Sequence, residues 1–319
     1  MRLPRSVRAA EVAGKTVLVR ADLNVPLADG RVADDTRIRA SLPTLELLLE
    51  RGAAAVRVCS HLGRPRSEDD RTRLAMAPVA ARLRELLPDG RVHMLENTRF
   101  DPRETQNDAG FARELARGCD LYVNDAFGSA HRAHASTEAV AHLLPAYAGL
   151  LLLAELEHLG RLLGDVERPF VLVAGGAKVE DKLGLLRHLG GRADAVLVGG
   201  KMAEELRSGN PLGFPVELPE DVVAAAGFAA DAEARVTRFD ELPPGWLGLD
   251  IGPATRERFA ARIAAARTIF WNGPLGVFEW PRFAAGTTAV AEAVAANDAA
   301  FSVVGGADSV RALNELGLA

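Results

Sequence analysis

Short apolar runs recur along this chain, and each stops at a break that opens into a helical pattern. Thr16–Ala21 reads TVLVRA, and Ala54–Cys59, Val92–Leu95 and Leu121–Val123 follow it in the first half. Phe170–Val173 begins the second half, and AVLV, TIFW and FSVV come after it. Between the first-half runs, Leu42–Glu50, Met76–Leu87 and Phe111–Arg117 carry apolar residues at helical spacing. Short valine-rich runs of this kind form strands buried on both faces. Strand–helix alternation therefore predicts an α/β chain with parallel sheets. In such sheets ligands sit beyond the carboxyl ends of the strands, so the residues that follow each run are the place to look for a site.

In the first half those positions hold charged and amide side chains. They are Asp22 and Asn24, then His61 and Arg64, then Arg99, then Asn124, Asp125, His131, Arg132 and His134, with Arg37 in the loop after the first strand. Taken singly, each arginine reads as a solvated loop charge. Gathered at equivalent strand ends of a chain whose net charge is −5, they read as a local cationic pocket. Such a pocket suits a small, multiply anionic molecule such as a phosphorylated acid, held bidentately by arginines. Asp22 and Asn24 can take its hydroxyl groups. His93, His142, His158 and His188 fall into no pattern and read as structural.

The second half ends its strands in glycine: Gly175-Gly176, Gly199-Gly200, Asn272-Gly273-Pro274-Leu275-Gly276 and Gly305-Gly306. Glycine lets a flat or phosphorylated ligand approach the backbone, and a nucleotide is the natural candidate. VLVAGGAKVEDK combines strand, glycine turn and helix start, which presents bare N–H groups and a helix dipole to an anion. Lys178 and Lys182 share a helical face there. The chain has four lysines against 34 arginines, so this clustering stands out. A surface turn with two solvated lysines is the plain alternative. Neither GxxxxGK[ST] nor an intact GxGxxG occurs, which excludes a Walker P-loop and disfavours a dinucleotide dehydrogenase. Asp308-Ser309 open the last helix. Asp308 is a helix N-cap or a ligand, direct or through water, of a phosphate-bound Mg²⁺. Glu279 can accept from a ribose hydroxyl.

Leu150–Leu163 has helical spacing and separates the two series. It predicts a first domain over 1–150, a connecting helix over 151–165 and a second domain over 166–319, with hinge closure between them. One continuous domain is the alternative. The acidic balance argues against a nucleic-acid partner. Leu143–Ala154 is too short to span a membrane, and the N-terminal MRLPRSVRAAEVAGK lacks a signal-peptide core. Cys59 and Cys119 have no metal-site spacing and read as buried free thiols. A cytoplasmic protein, monomeric and without a membrane partner, is expected.

VRADLNVPL, DDTRIRA, SHLGRP, LENTRF, YVNDAFGSAHRAHAST, GGAKVEDK, GWLGLDIGP, WNGPLGVFEW and GGADS together resemble the phosphoglycerate kinase family, in its order and over essentially the whole chain. The resemblance implies two Rossmann-like domains with parallel sheets facing across a hinge cleft. The N-terminal domain would hold 3-phosphoglycerate or 1,3-bisphosphoglycerate and the C-terminal domain MgADP or MgATP. Asp22, Asn24, Arg37, His61, Arg64, Arg99 and Arg132 match the substrate contacts. Lys178 matches the lysine that accompanies the transferred phosphoryl group, which Arg37 would flank from the other domain, making these two the catalytic pair. Lys182 matches a lysine on the nucleotide phosphates. Gly175, Gly199, Gly200 and Leu249 match the adenine side, Glu279 the ribose contact, Asn272 a residue near the phosphates, and Asp308, followed by Ser309, the acid on the Mg²⁺ side.

The implied activity is the glycolytic transfer between 1,3-bisphosphoglycerate and ADP. The alternatives are a relative that binds these ligands without efficient transfer and a kinase for another small phosphorylated acid. The chain departs from the family between Leu87 and Arg91 and after Gly213, where it is shorter. It also stops at Leu316-Gly317-Leu318-Ala319, where the family continues into a second glycine-rich turn. Lys201 stands where a glycine is usual, and Ala307 at the third position of a usual glycine triplet.

Overall fold

A computed structural model describes residues 4–176 and 180–318, leaving out the side chain of Asp181. The chain divides into two compact units, Met1–Glu157 and His158–Ala319. The division falls inside the helix Leu150–Leu163, whose bounds are those read from the sequence.

The first unit is built on five parallel strands: β1 (Thr16–Ala21), β2 (Ala55–Cys59), β3 (Val92–Met94), β4 (Leu121–Asp125) and β5 (Ala146–Ala148), in the order β3-β2-β1-β4-β5. Strand order reverses between β1 and β4, and a crevice opens at such a point. One face of the sheet packs Val17, Val19, Val56, Val58 and Val123 under the helices Thr36–Glu50 and Ala77–Leu86. The other buries Leu18, Cys59 and Tyr122 with Ala112 and Leu115. Each strand thus alternates between two apolar layers, the pattern of a covered parallel sheet.

Helix Thr36–Glu50 starts well before Leu42, so Arg37 lies in its first turn and not in a loop. Pro43 inside the sequence suggests a start there, because proline favours a first turn. Burial of Ile38, Leu45, Leu48 and Leu49 along one side holds the longer helix together, and Asp34 Oδ1 accepts from Thr36 N at 2.8 Å to begin it.

The second unit has strands β6 (Phe170–Ala174), β7 (Ala195–Val198), β8 (Asp221–Ala225), β9 (Ala234–Arg238), β10 (Leu247–Ile251), β11 (Thr268–Asn272) and β12 (Phe301–Gly305). A four-stranded parallel sheet runs β12-β11-β6-β7. Phe170, Leu172 and Phe270 face one core, and Val171, Val173, Ile269 and Trp271 face the other. The strand–helix alternation expected throughout this half breaks in its middle. There β9-β8-β10 form an antiparallel sheet, with a register shift between Val223 and Ala224. Among the described residues no helix is long and apolar enough to cross a membrane.

Candidate active site

The carboxyl ends of β1 to β4 gather the first unit's predicted side chains. Asp22 Oδ2 accepts from Arg37 Nη1 at 2.6 Å, which ties the half-exposed guanidinium to the end of β1. Gly128 leaves room for that carboxylate, since a Cβ there would lie 2.8 Å from Asp22 Oδ2. Asn24 Oδ1 accepts from Gly63 N at 2.7 Å, and Arg99 Nη1 donates to Gly63 O at 2.7 Å, so the loop holding His61 and Arg64 is pinned from both sides. Arg64, Arg66, Arg71, Arg99, Arg132 and His134 line a cavity of ≈ 760 Å³. Burial, with Arg132, Arg20 and Arg64 nearby, lowers the pKa of Arg99 from its ordinary value. A crowd of like charges with few counterions gains from binding an anion.

Beneath this surface lies a network that the sequence did not reveal. Arg20, 1% exposed near the carboxyl end of β1, donates through Nε to Ser136 Oγ at 2.9 Å and through Nη2 to His61 Nδ1 at 2.9 Å. Ser136 Oγ passes the link on, donating to the fully buried Glu104 at 2.5 Å. Arginine has no acceptor, so His61 Nδ1 must accept and the ring proton sits on Nε2. Burial comes first, then Arg20, Arg99, Arg132 and His134, in pushing the His61 pKa down to about 2. His61 is therefore a neutral imidazole with a fixed Nε2–H donor.

Asn124 and Asp125 belong to β4 and line neither cavity. Asn124 Oδ1 accepts from Ala126 N at 3.1 Å. Asp125 Oδ1 accepts from Leu151 N and Leu152 N at 2.9 and 3.2 Å, capping the helix Leu150–Leu163. His131 is exposed beside Arg132. His142 is a surface residue paired with Glu138 at 2.5 Å. Cys59 is buried, Cys119 only half-buried, and neither is in a disulfide.

In the second unit the glycine turns after β6, β7, β11 and β12 meet around a cavity of ≈ 710 Å³. Their glycines are sterically required. A Cβ on Gly175 would lie 1.9 Å from Pro274 O, and one on Gly199 would lie 2.4 Å from Leu275 Cδ1. Lys182 Nζ donates to Gly175 O at 2.7 Å and to Asn272 O at 2.8 Å, joining two turns with a cation. Lys178 lies outside the described residues. Leu247, Leu249, Pro274, Val277 and Phe228 give the cavity an apolar wall, while Lys182, Lys201, Asn272, Glu279 and Asp308 supply polar groups. Phe228 is 68% exposed, with its ring centre 4.8 Å from that of Trp280 and tilted by 53°, and no motif in the sequence marks it.

Asp308 is not a helix N-cap. Gly306 takes that position at φ +88°, and Asp308 lies in the first turn, mostly exposed. Ser309 is buried, and its Oγ accepts from Gly273 N at 2.6 Å, so it braces the turn after β11. Among the described residues no cluster of three metal-ligating side chains occurs. A Mg²⁺ carried on nucleotide phosphates needs only one or two carboxylates, the phosphates and water, and Asp308 fits that demand.

Comparison with known proteins points one way. A family model described as phosphoglycerate kinase matches residues 7–210 and 206–319. A phosphoglycerate kinase of Roseiflexus castenholzii is 46% identical over 364 residues, covering 99% of this chain and 91% of that protein. That of Rubrobacter xylanophilus is 50% identical over 357 residues, covering 98% and 90%. The solved structure of phosphoglycerate kinase from Coxiella burnetii superposes with a TM-score of 0.86 at 35% identity, covering 99% of this chain and 91% of that one. The first of these alignments spans 364 positions against this chain's 319 residues, so that relative carries segments this chain lacks.

Proposed function

The chain belongs to the phosphoglycerate kinase family, and from that premise we propose which of its residues carry out the family's reaction, reversible phosphoryl transfer between 1,3-bisphosphoglycerate and ADP. The observation that carries the assignment is the contrast between two anion sites: arginine forks on one unit, glycine backbone and lysine on the other.

In the first unit, Arg64, Arg99 and Arg132 bind the substrate's phosphate as bidentate donors. His61 adds its fixed Nε2–H. Asp22 and Asn24 receive the hydroxyl region, and Asp22 also aims Arg37. In the second unit, Leu249, Gly199 and Gly200 bed the adenine, Glu279 accepts from the ribose, and Lys182, Asn272 and the turn at Gly175 receive the phosphates. Mg²⁺ would be held through Asp308 and would neutralise phosphate charge. A β-phosphate oxygen of ADP attacks the phosphorus of the acyl phosphate in line. The phosphorus–oxygen bond to C1 breaks, and its electron pair leaves on the carboxylate of 3-phosphoglycerate. No covalent enzyme intermediate is needed, because alignment and charge neutralisation supply the catalysis. Arg37 and Lys178 flank the phosphoryl group in flight. We place the substrate domain at 1–150 and the nucleotide domain at 166–319, and the protein in the cytoplasm as a glycolytic monomer.

The test is a coupled assay with 3-phosphoglycerate and MgATP. Turnover that falls by roughly 10²-fold on Arg37→Ala, the scale for losing one preorganised donor, supports the assignment. Absence of turnover in the unaltered protein refutes it, and calorimetric binding of both ligands would then mark a binding protein.

A further inference from the structure

Two carboxylates line the second unit's cavity from different elements, Glu279 from the turn after β11 and Asp308 from the first turn of the helix Ala307–Leu316. One guanidinium reaches both. Arg311 pairs with Glu279 Oε1 through Nη2, and the same nitrogen stands 3.7 Å from Asp308 Oδ1. Its Nε faces Glu315 at 4.0 Å, and its planar group lies 4.7 Å from the centre of the Phe278 ring.

Arg311, Glu279 and Asp308 are 46%, 48% and 65% exposed, and exposed ion pairs contribute little to stability. The cluster matters for charge and geometry. Without Arg311, the Glu279 and Asp308 carboxylates would stand uncompensated in a site that must admit a nucleoside diphosphate, itself an anion. A carboxylate is acceptor-only. Glu279 uses Oε1 for the guanidinium, which leaves Oε2 to accept from a ribose hydroxyl. A carboxylate held in place distinguishes a hydroxyl from a hydrogen better than one free to swing.

We propose that Arg311 is a positioning residue for the nucleotide: it fixes Glu279 for ribose recognition and tempers the charge of Asp308. The proposal rests on the nucleotide reading of this cavity. It has two consequences of opposite sign. Losing Arg311 weakens selection for the ribose hydroxyls, and it strengthens divalent-cation binding at Asp308, because a competing cation is gone.

Calorimetry on the full chain tests it, with ADP, 2′-deoxy-ADP and 3′-deoxy-ADP, each with and without MgCl₂. The unaltered protein should prefer ADP over at least one deoxy analogue by about tenfold, the scale of one hydrogen bond to a charged group. In Arg311→Ala that preference should shrink to about twofold, while the Mg²⁺ concentration that half-saturates the ADP complex falls. Arg311→Lys keeps the charge but loses the planar fork, so it should restore the Mg²⁺ response and not the ribose preference. It also guards against a misfolded alanine variant. An undiminished ribose preference in Arg311→Ala overturns the proposal alone. Failure of the unaltered protein to bind ADP overturns the nucleotide reading and this proposal together.

Discussion

His61 offers a sharp test of the buried network, because burial first and the Arg20 contact second set its protonation. Arg20 Nη2 can only donate, and it reaches His61 Nδ1 at 2.9 Å. Protonating the ring would place two donors face to face in a site where His61 is 6% exposed. Its folded pKa is accordingly pushed down to about 2, against an ordinary value of 6.5. The unfolded chain then takes up a proton that the folded chain refuses. Stability from this group is intact above pH 6.5 and is lost as pH falls, by about 1.4 kcal/mol per unit. By pH 4.5 the loss reaches about 3 kcal/mol, a large share of a typical domain's stability.

His61→Asn removes the titration while keeping an amide oxygen near Nδ1 for Arg20. The stability gap between the unaltered protein and this variant should therefore narrow by about 3 kcal/mol between pH 6.5 and 4.5. The readout is urea unfolding followed by hydrogen exchange at β1 and β2. The variant should also bind 3-phosphoglycerate about 10- to 100-fold more weakly at pH 7.5, since it lacks the Nε2–H donor to a charged group. Two-bond ¹H–¹⁵N spectra read the tautomer directly. A ring proton on Nδ1, or a His61 titration midpoint above pH 5, would refute the reasoning.

Further expectations attach to the second unit. Lys182→Ala should lower kcat/KM by at least about 10²-fold, because it removes both a cation and the link between Gly175 O and Asn272 O. Lys182→Arg should not rescue it: a Cβ on Gly273 would lie only 2.2 Å from Nζ, too tight a niche for a guanidinium. Gly175→Ala drives a methyl into Pro274 O at 1.9 Å, which should cost about 3 kcal/mol in thermal unfolding and abolish ADP binding in calorimetry. Burial raises the Asp250 pKa to about 7 against the donors Gly286 N and Ile251 N, so the folded unit binds a proton that the unfolded chain releases. That stability is present below pH 4 and is lost, by about 4 kcal/mol, as pH rises to 7. Asp250→Asn should flatten this slope, read by tryptophan fluorescence, because Trp246, Trp271 and Trp280 all lie in the second unit.

What the sequence made legible was local. The apolar runs are strands, and the helical stretch Leu150–Leu163 keeps its bounds, because period and break lie within a few residues of each other. Side chains that depend on distant partners were not legible. Arg20 sits in TVLVRA as one charge in an apolar strand, and a buried charge demands partners. Those partners, Ser60, His61 and Ser136, with Glu104 behind Ser136, come from other strand ends and loops, so only the demand was readable. The antiparallel strands β8 to β10 lack the helical stretches that marked the rest. Val236 and Thr237 in β9 gave a β-branched signal that alternation elsewhere concealed. Nothing in the sequence around Arg311 separates it from an ordinary solvated helix charge, because its partner Glu279 lies in a distant turn.

The two units apply one topological rule with opposite chemistry, and burial explains the difference. Each sheet reverses its strand order beside its central strand, β1 in one and β6 in the other, and each cavity is lined by residues that follow strands of its own sheet: Arg64, Arg99 and Arg132 after β2, β3 and β4 in the first unit, and Gly176, Gly200, Gly273 and Gly306 after β6, β7, β11 and β12 in the second. In the first unit guanidinium groups line the cavity, and a buried Arg20–Ser136–Glu104 chain ties His61 to the loop around Ser136. In the second the turns touch: Gly200 packs a would-be Cβ 3.2 Å from the Gly176 backbone, and Gly175 meets Pro274. Where backbones are that close no side chain fits, so on the proposed assignment backbone amides and lysine side chains are the groups that would meet the phosphates. A small acid with a single phosphate is gripped best by forks that close around it. A nucleotide, with a flat base and a phosphate chain, is better served by a smooth apolar wall ending in bare backbone. If the proposed assignment holds, the glycine pairs and the arginines are two answers to the same requirement, each set by the shape of what must be held.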